Sequence, residues 1–423
     1  MFKYFFVLGR NHVLSTAEAL SVFAKLQLKF NIISLSEEIL VIESAVKIDC
    51  DKLNNTFGGI IKIGQILDET GLDESENKFH SFFTADNLIG RYFSAATSKL
   101  HIGISLYDGG GDKKYLQILS RQLIGFNMQI KRSLGEKNLR VGFVRVKERI
   151  LSSVSVVKNK LLSQGTEIVL IITPDKIFMG KTLVVQDFEL FGRRDAGRPY
   201  LDKKSGIIPT KLARIMINLS GVAQDGALLD PFCGSGTIIQ ETVALGIKKV
   251  TGADISFRAV SDTEKNLDWF FRNFPHYKLS SYNIKLIQTD VSVISQKIPE
   301  NSIDTIVTEP FLSPPIYQKP DIKLISQLQI QLADLYLKAF QEFHKLLKPK
   351  SSVIMIFPTF TTYDRIYFLE IVPKILNLGF SQMKFFPVDL TVRYNLKLTF
   401  RSTILYGGKT EFINREIVAF QKT

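Results

Sequence analysis

The chain runs to 423 residues, 45% of them hydrophobic, with a formal net charge of +13. That length is too great for one ordinary core and predicts two or three domains, while no apolar run approaches the roughly 20 residues that span a bilayer. Two distant cysteines, Cys50 and Cys233, and five scattered histidines exclude a disulfide framework and a zinc site, so no catalytic metal is expected and a reducing cytoplasm is the expected compartment.

At the start, "KYFFVLG" predicts a strand and not a secretory leader, because its apolar stretch of about five residues is cut short by Gly9 and Arg10. "STAEALSVFAKL" predicts a helix, "FNIISLSEEILVIES" two strands, "KIDCDKLNNTF" a helix ending at Gly58-Gly59, and "IIKIGQIL" a strand. The order βαββαβ over residues 1–75 describes a ferredoxin-like unit. "DETGLDESENK" is polar, without a hydrophobic period, and predicts a linker.

A second α+β unit is predicted over 80–180. "KLHIGISLYD" is a strand, and a helix with its basic residues outward follows a glycine turn. "RVGFVRV" and "EIVLIIT" are strands flanking the helix-like "SSVSVVKNKLL". The triple glycine at 109–111 lacks the Lys-Ser/Thr and the helix start of a phosphate cradle, so a plain loop is expected. Between residues 97 and 215 stand 22 Lys+Arg against 10 Asp+Glu, nearly the whole surplus of the chain, which points to a phosphate-rich partner. Candidate contacts are Lys99, Arg121, Lys131 and Arg132 in this unit, and Arg193, Arg194 and Arg198 in the basic connector and helix at 181–221.

From 222 to 423 the pattern changes to alternating strands and helices, which predicts a mostly parallel sheet. Strands are expected at "GALLD", "KVTGADI", "IKLIQTD", "IDTIVTEPF" and "SSVIMIFP", with a further helix near 364–378. Gly407-Gly408 turns between two strand-like runs and predicts an antiparallel hairpin at the sheet edge.

"LLDPFCGSGTIIQE" is the most informative stretch. A strand ends at Asp230, Gly234 and Gly236 let a ligand approach the backbone, and a helix opens at Thr237. A dinucleotide fingerprint would place a third glycine where Ile239 stands. Asp254, followed by Ile255, closes the next strand, placed for ribose hydroxyls, and Asp290 closes the third, placed for an adenine amino group. Acids ending three successive strands around a glycine loop describe a pocket for S-adenosylmethionine, lined by Asp230, Phe232, Gly234, Gly236, Thr237, Asp254, Ile255 and Asp290. Cys233 lies in the same loop, but direct methyl transfer needs no nucleophilic thiol, so a tolerated small residue is expected there.

"DPFCGSGTIIQE" closely resembles the first motif of the THUMP-domain tRNA guanine-N2 methyltransferases, the family that modifies guanosine 10 of tRNA. "GRPYLDKKSGIIPTKLARIMINLSG" is similar to that family's connector, "HIGISLYD" to a THUMP strand and "REIVAF" to the last strand, so the likeness spans nearly the whole chain. It implies an α/β fold: a Rossmann-like class I methyltransferase with a mostly parallel seven-stranded sheet, preceded by a ferredoxin-like/THUMP module. It also implies that THUMP grips the acceptor-stem end of tRNA and presents the target base to the distant pocket. A small activator subunit remains an open partner.

The departure lies at "TEPFLSPP". The family's Asp-Pro-Pro-Tyr-Gly motif aligns with Glu309, Pro310 and Phe311. A guanine amine is a weak nucleophile because its lone pair is delocalised into the ring, and a carboxylate accepting its N–H localises that pair and takes the proton. Glu309 can do this in place of Asp, and Phe311 can stack a flipped base without a tyrosine's hydroxyl. Three readings stay open: guanine-N2 methylation, adenine-N6 or rRNA methylation on the same fold, and a non-enzymatic RNA-binding subunit with a degenerate fourth motif.

Overall fold

The computed structural model describes residues 1–72, 80–93, 99–144, 148–201, 207–316, 318–363, 365–408 and 411–423. Two compact units divide the chain: Met1–Ala19 with Phe23–Phe188, and Leu20–Val22 with Glu189–Thr423.

The first unit opens with β1 (Phe2–Leu8), α1 (His12–Lys25), β2 (Phe30–Leu35), β3 (Ile39–Ser44), α2 (Cys50–Thr56) and β4 (Ile60–Gly71), the expected βαββαβ order. It continues with α3 (Ala85–Arg91), β5 (Lys99–Asp108), α4 (Lys113–Gly135), β6 (Arg140–Phe143), α5 (Ser153–Lys158), β7 (Gly165–Ile172) and β8 (Lys176–Val185). All the strands form one eight-stranded sheet in the order β2-β3-β1-β4-β8-β7-β5-β6. β1 reads as an unbroken apolar run because both of its faces are covered. Phe6 meets Phe23 of α1 and Phe57 edge-on, while Phe5 and Val7 pack with Ile39 and Val41 in another cluster.

The described parts of the segments expected as separate domains, 1–75 and 80–180, fall in one compact unit. β4 pairs with β8 from Lys62 to Gly71, so the segments expected as separate units share a sheet. Asp68 and Glu69, read as linker, belong to β4, because cations offset their polarity, Arg91 of α3 for Asp68 and cross-strand lysines for Glu69. Glu69 pairs with Lys3 and, at 2.9 Å, with Lys176; residues 73–78 of the expected linker lie outside the described residues. Under the sheet Lys62, 1% exposed, donates to Glu167 at 2.6 Å and to the Leu151 carbonyl at 2.7 Å. Ser105 and Thr182 also donate to Glu167.

The triple glycine is a loop, yet a helix does start directly after it. α4 is capped by Asp112, whose carboxylate accepts from the Lys114 N–H at 2.7 Å, while Asp108 accepts from the Gly110 N–H at 2.7 Å. Two carboxylates thus take the donors that a phosphate would need. Leu119, Leu123, Phe126, Ile130 and Leu134 bury one stripe of α4.

The second unit contains α6 (Phe188–Ala196), α7 (Thr210–Leu219), β9 (Ala227–Asp230), α8 (Thr237–Ala244), β10 (Lys249–Asp254), α9 (Phe257–Asn273) and β11 (Asn283–Gln288). Then come β12 (Ile303–Thr308), α10 (Ile322–Leu346), β13 (Leu347–Thr361), β14 (Ile366–Phe368), α11 (Val372–Leu376), β15 (Phe380–Gln382), α12 (Val388–Arg393), β16 (Ile404–Tyr406) and β17 (Ile413–Lys422). The sheet runs β11-β10-β9-β12-β13-β17-β15, with β14 beside β13 and β16 beside β17. β9 to β13 are parallel, and β17 runs antiparallel to both its neighbours.

Two expectations are corrected here. The β16–β17 hairpin exists, but β17 lies between β13 and β15 and not at the edge. Its run Ile417, Val418, Ala419 and Phe420 is at most 2% exposed, a burial that an edge strand does not reach. The helix expected at 364–378 is shorter, because Pro373 in the first turn sets its start and β14 precedes it.

Candidate active site

The order β11-β10-β9-β12 makes a switch point between β9 and β12, where the loops at the carboxyl ends of neighbouring strands diverge and leave a crevice. A cleft of about 1180 Å³ lies there. Asp230 ends β9, Asp254 ends β10, Asp290 follows β11 and Glu309 follows β12, and all four line the cleft. Phe232, Gly234, Thr237, Ile255, Pro310 and Phe311 line it too.

The loop after β9 is held from behind. The Gly234 N–H donates to Asp254 Oδ2 at 3.0 Å and the Ser256 N–H to Oδ1 at 2.9 Å, so each oxygen keeps a lone pair for a ligand. Thr263 donates to the Gly234 carbonyl at 2.8 Å, and Asn266 to the Ser235 carbonyl at 2.9 Å. Gly236 is the one predicted cofactor residue that does not line the cleft. Its φ of +85° turns the chain into α8, and a Cβ there would meet Thr263 at 2.7 Å. At Gly234, φ +52°, a Cβ would have no neighbour within 4 Å, so the space in front is open.

Asp230 is 1% exposed, and burial pushes its carboxyl up to about 7, against the hydrogen bonds from Thr308 and the Phe232 N–H. Thr308 Oγ1 donates to Oδ1 at 2.7 Å and the Phe232 N–H at 3.2 Å. The Asp290 carboxylate is exposed and held below its usual range by the Ser292 N–H, which it accepts at 2.8 Å. The Cys233 thiol is pushed well up by burial, which suits packing and not nucleophilic attack.

On the other wall, Glu309 Oε1 accepts from Arg415 Nε of β17 at 2.5 Å, with the two side chains 11% and 21% exposed. Phe311 is 50% exposed and lines the cleft. Its carbonyl accepts from the Tyr336 hydroxyl at 2.8 Å, and burial keeps that tyrosine protonated as a donor. Sequence reading missed Thr308, Tyr336 and Arg415. The one signal for Arg415 was a charged pair, Arg415-Glu416, directly before the apolar run Ile417, Val418, Ala419 and Phe420.

The basic candidates separate into two groups. Arg121, Lys131 and Arg132 are exposed on α4, opposite its buried stripe, and Arg193 is exposed with its guanidinium 5.1 Å from the Phe274 ring centre. Lys99 begins β5, and its side chain lies outside the described residues. Arg194 and Arg198 are corrected: they are 1% and 3% exposed and face the interior. Arg194 and Arg214 both pair with Glu241, at 2.7 and 2.8 Å, and Arg198 donates to Thr237 Oγ1 at 2.6 Å. The Arg194 guanidinium, committed to a buried carboxylate, is not available to phosphate, and that of Arg198 is buried.

Fold and cleft together define a class I methyltransferase domain. Within that class, residues 198–368 match the family model described as RMKL-like, methyltransferase domain. A tRNA (guanine(10)-N2)-dimethyltransferase of Methanothermobacter thermautotrophicus is 35% identical over 137 residues, 32% of this chain and 36% of the relative. The protein of that name from Methanocaldococcus jannaschii is 33% identical over 145 residues, 33% of this chain and 38% of the relative. The match thus spans little more than a third of the length of either relative. The crystal structure of TrmN from Thermus thermophilus superposes with a TM-score of 0.54 at 13% identity, covering 100% of both chains, and shares the fold. Among the described residues no helix is long and apolar enough to cross a membrane.

Proposed function

We propose that this protein transfers the methyl group of S-adenosylmethionine to the exocyclic N2 amine of a guanosine in tRNA, position 10 being the site named for its relatives. The observation that carries the reading is one cleft in which three strand-end acids and an open glycine loop face a fourth carboxylate, Glu309. The residues present fit the cofactor. The space before Gly234 is open, Asp254 keeps lone pairs for ribose hydroxyls, and the buried Asp230 gains a partner when a cation binds. Bound there, S-adenosylmethionine would supply a methyl group from its sulfonium, the sulfur departing as a neutral thioether.

The chain's own residues do the rest. Phe311 stacks the flipped base. Glu309 accepts an amine N–H, which localises the nitrogen lone pair, and takes the proton released on transfer. Holding the amine in a fixed position on the Phe311 wall would supply much of the rate. The first unit, as a THUMP module, grips the acceptor-stem end through the basic face of α4, with an activator subunit as a further possible partner. The cytoplasm, where unmodified tRNA is met, is its proposed compartment.

Calorimetry and nucleoside mass spectrometry test the reading together. Asp254→Ala should weaken S-adenosylmethionine binding by about 1–3 kcal/mol, as for a lost hydrogen bond to a charged group. Wild-type protein should yield N2-methylated guanosine from unmodified tRNA. Tight cofactor binding with no transfer to any RNA would favour the non-enzymatic RNA-binding subunit, and N6-methyladenosine as the product would favour adenine chemistry.

A further inference from the structure

We propose that Arg415 is a specificity residue which, with Glu309, reads the Watson–Crick edge of the target base and so selects guanine. The inference rests on the proposed function and names the group that recognises its substrate. Arg415 sits on β17, opposite Pro358 of β13 and Tyr406 of β16, and its side chain lines the cleft beside Glu309. The contact is made through Nε alone, at 2.5 Å to Oε1. The two terminal guanidinium nitrogens have no protein hydrogen bond among the described residues, and neither does Glu309 Oε2. The pair therefore offers the cleft an acceptor beside donors, all on the wall next to Phe311.

That arrangement is complementary to one purine edge. Guanine presents donors at N1–H and the 2-amine, and an acceptor at O6. A carboxylate oxygen can take the amine while the guanidinium donates to O6. Adenine presents the reverse: the N1 lone pair would face the carboxylate, and the 6-amine would face the guanidinium. Sites built to hydrogen-bond one pattern reject its inverse strongly, because their own polar groups are left unpaired. The extra methylene of Glu309, relative to the aspartate of the resembling family, has a use here: it lengthens the carboxylate's reach toward β17. An ion pair serving only to tie β12 to β17 would have no need of spare donors at the cleft.

The test uses full-length protein, after the guanosine that it methylates has been mapped. The tRNA is assembled from two synthetic pieces carrying at that position either guanosine or 2-aminopurine, which keeps the 2-amine but lacks N1–H and O6. Wild type should prefer guanosine in kcat/KM by about 10²-fold or more. In Arg415→Met, which removes every donor, the loss on guanosine should exceed the loss on 2-aminopurine by about tenfold or more, and Arg415→Lys, which keeps a donor, should retain part of the preference. Calorimetric affinity for S-adenosylmethionine should be unaltered in both variants, which confirms an intact fold. Equal loss on both substrates, or a wild type that methylates 2-aminopurine as well as guanosine, overturns the inference and leaves the proposed function standing. A wild type that methylates no guanosine overturns the function itself.

Discussion

Glu309 is held on one side and open on the other. Arg415 fixes Oε1, which leaves Oε2 toward the cleft, so charge and geometry can be separated by substitution. Glu309→Gln keeps an acceptor oxygen but loses the charge, and single-turnover transfer should fall about 10²–10⁴-fold, as for other acid–base groups. Glu309→Asp should fall less, its shorter arm giving up the arginine and not the proton. Phe311→Ala should leave cofactor affinity alone and weaken capture of the flipped base by about 1–3 kcal/mol, the scale of one stacked base. Asp230 behaves differently because its folded pKa, about 7, is raised above the ordinary 3.8. A raised acid binds more protons folded than unfolded, so its contribution to stability falls as pH rises between those two values and is flat above. Asp230→Asn should therefore gain thermal stability over wild type progressively from pH 4 to pH 7, by up to a few kcal/mol. In wild type, affinity for the cationic cofactor should rise across pH 6–8, with proton release on binding measurable by calorimetry in buffers of different ionisation heat. A flat pH dependence would place the cation away from Asp230. The acids of this site were legible because strand ends and glycine loops are sequence patterns; Thr308, Tyr336 and Arg415 were not, since each acts across the fold.

At the scale of elements, α4 divides cleanly into a buried stripe and a basic face that carries Arg121, Lys131 and Arg132. Neutralising the three together should flatten the log–log salt dependence of tRNA binding by up to about 3 × 0.7–0.9. Unchanged affinity and slope would remove this face from the RNA path. Helix periodicity made α4 readable, yet it could not sort the arginines of the connector. Arg194 and Arg198 look as solvated in the sequence as Arg193, and only the carboxylate of Glu241 and the hydroxyl of Thr237, both from α8, explain their burial. Lys62 and Glu167 make a similar case within the first unit, side chains 2% and 0% exposed on β4 and β7. Glu167→Gln should cost about 3–5 kcal/mol in denaturant unfolding, because it leaves a buried ammonium without its carboxylate.

For the whole molecule, local order was legible and long-range pairing was not. The βαββαβ start was read correctly, but nothing in residues 60–71 reveals that β4 will find β8, over a hundred residues on, and merge two expected domains into one sheet. The parallel core of the second unit was likewise readable, and the insertion of β17 between β13 and β15 was not. That insertion gives the second unit an order of events. Without β17 the long edge of β13 has no partner over Ser352–Phe360, and the same strand carries Arg415 to the cleft. The glycine loop and the three acids all precede β17 in the chain, so on the proposed reading the cofactor site can form before the residue that would read the base is in place. A chain ended before Ile413 should expose that edge and aggregate, as unpaired strands do, and should not survive as a weaker enzyme. Its recovery from the soluble fraction with cofactor affinity intact would show that β13 can be covered some other way.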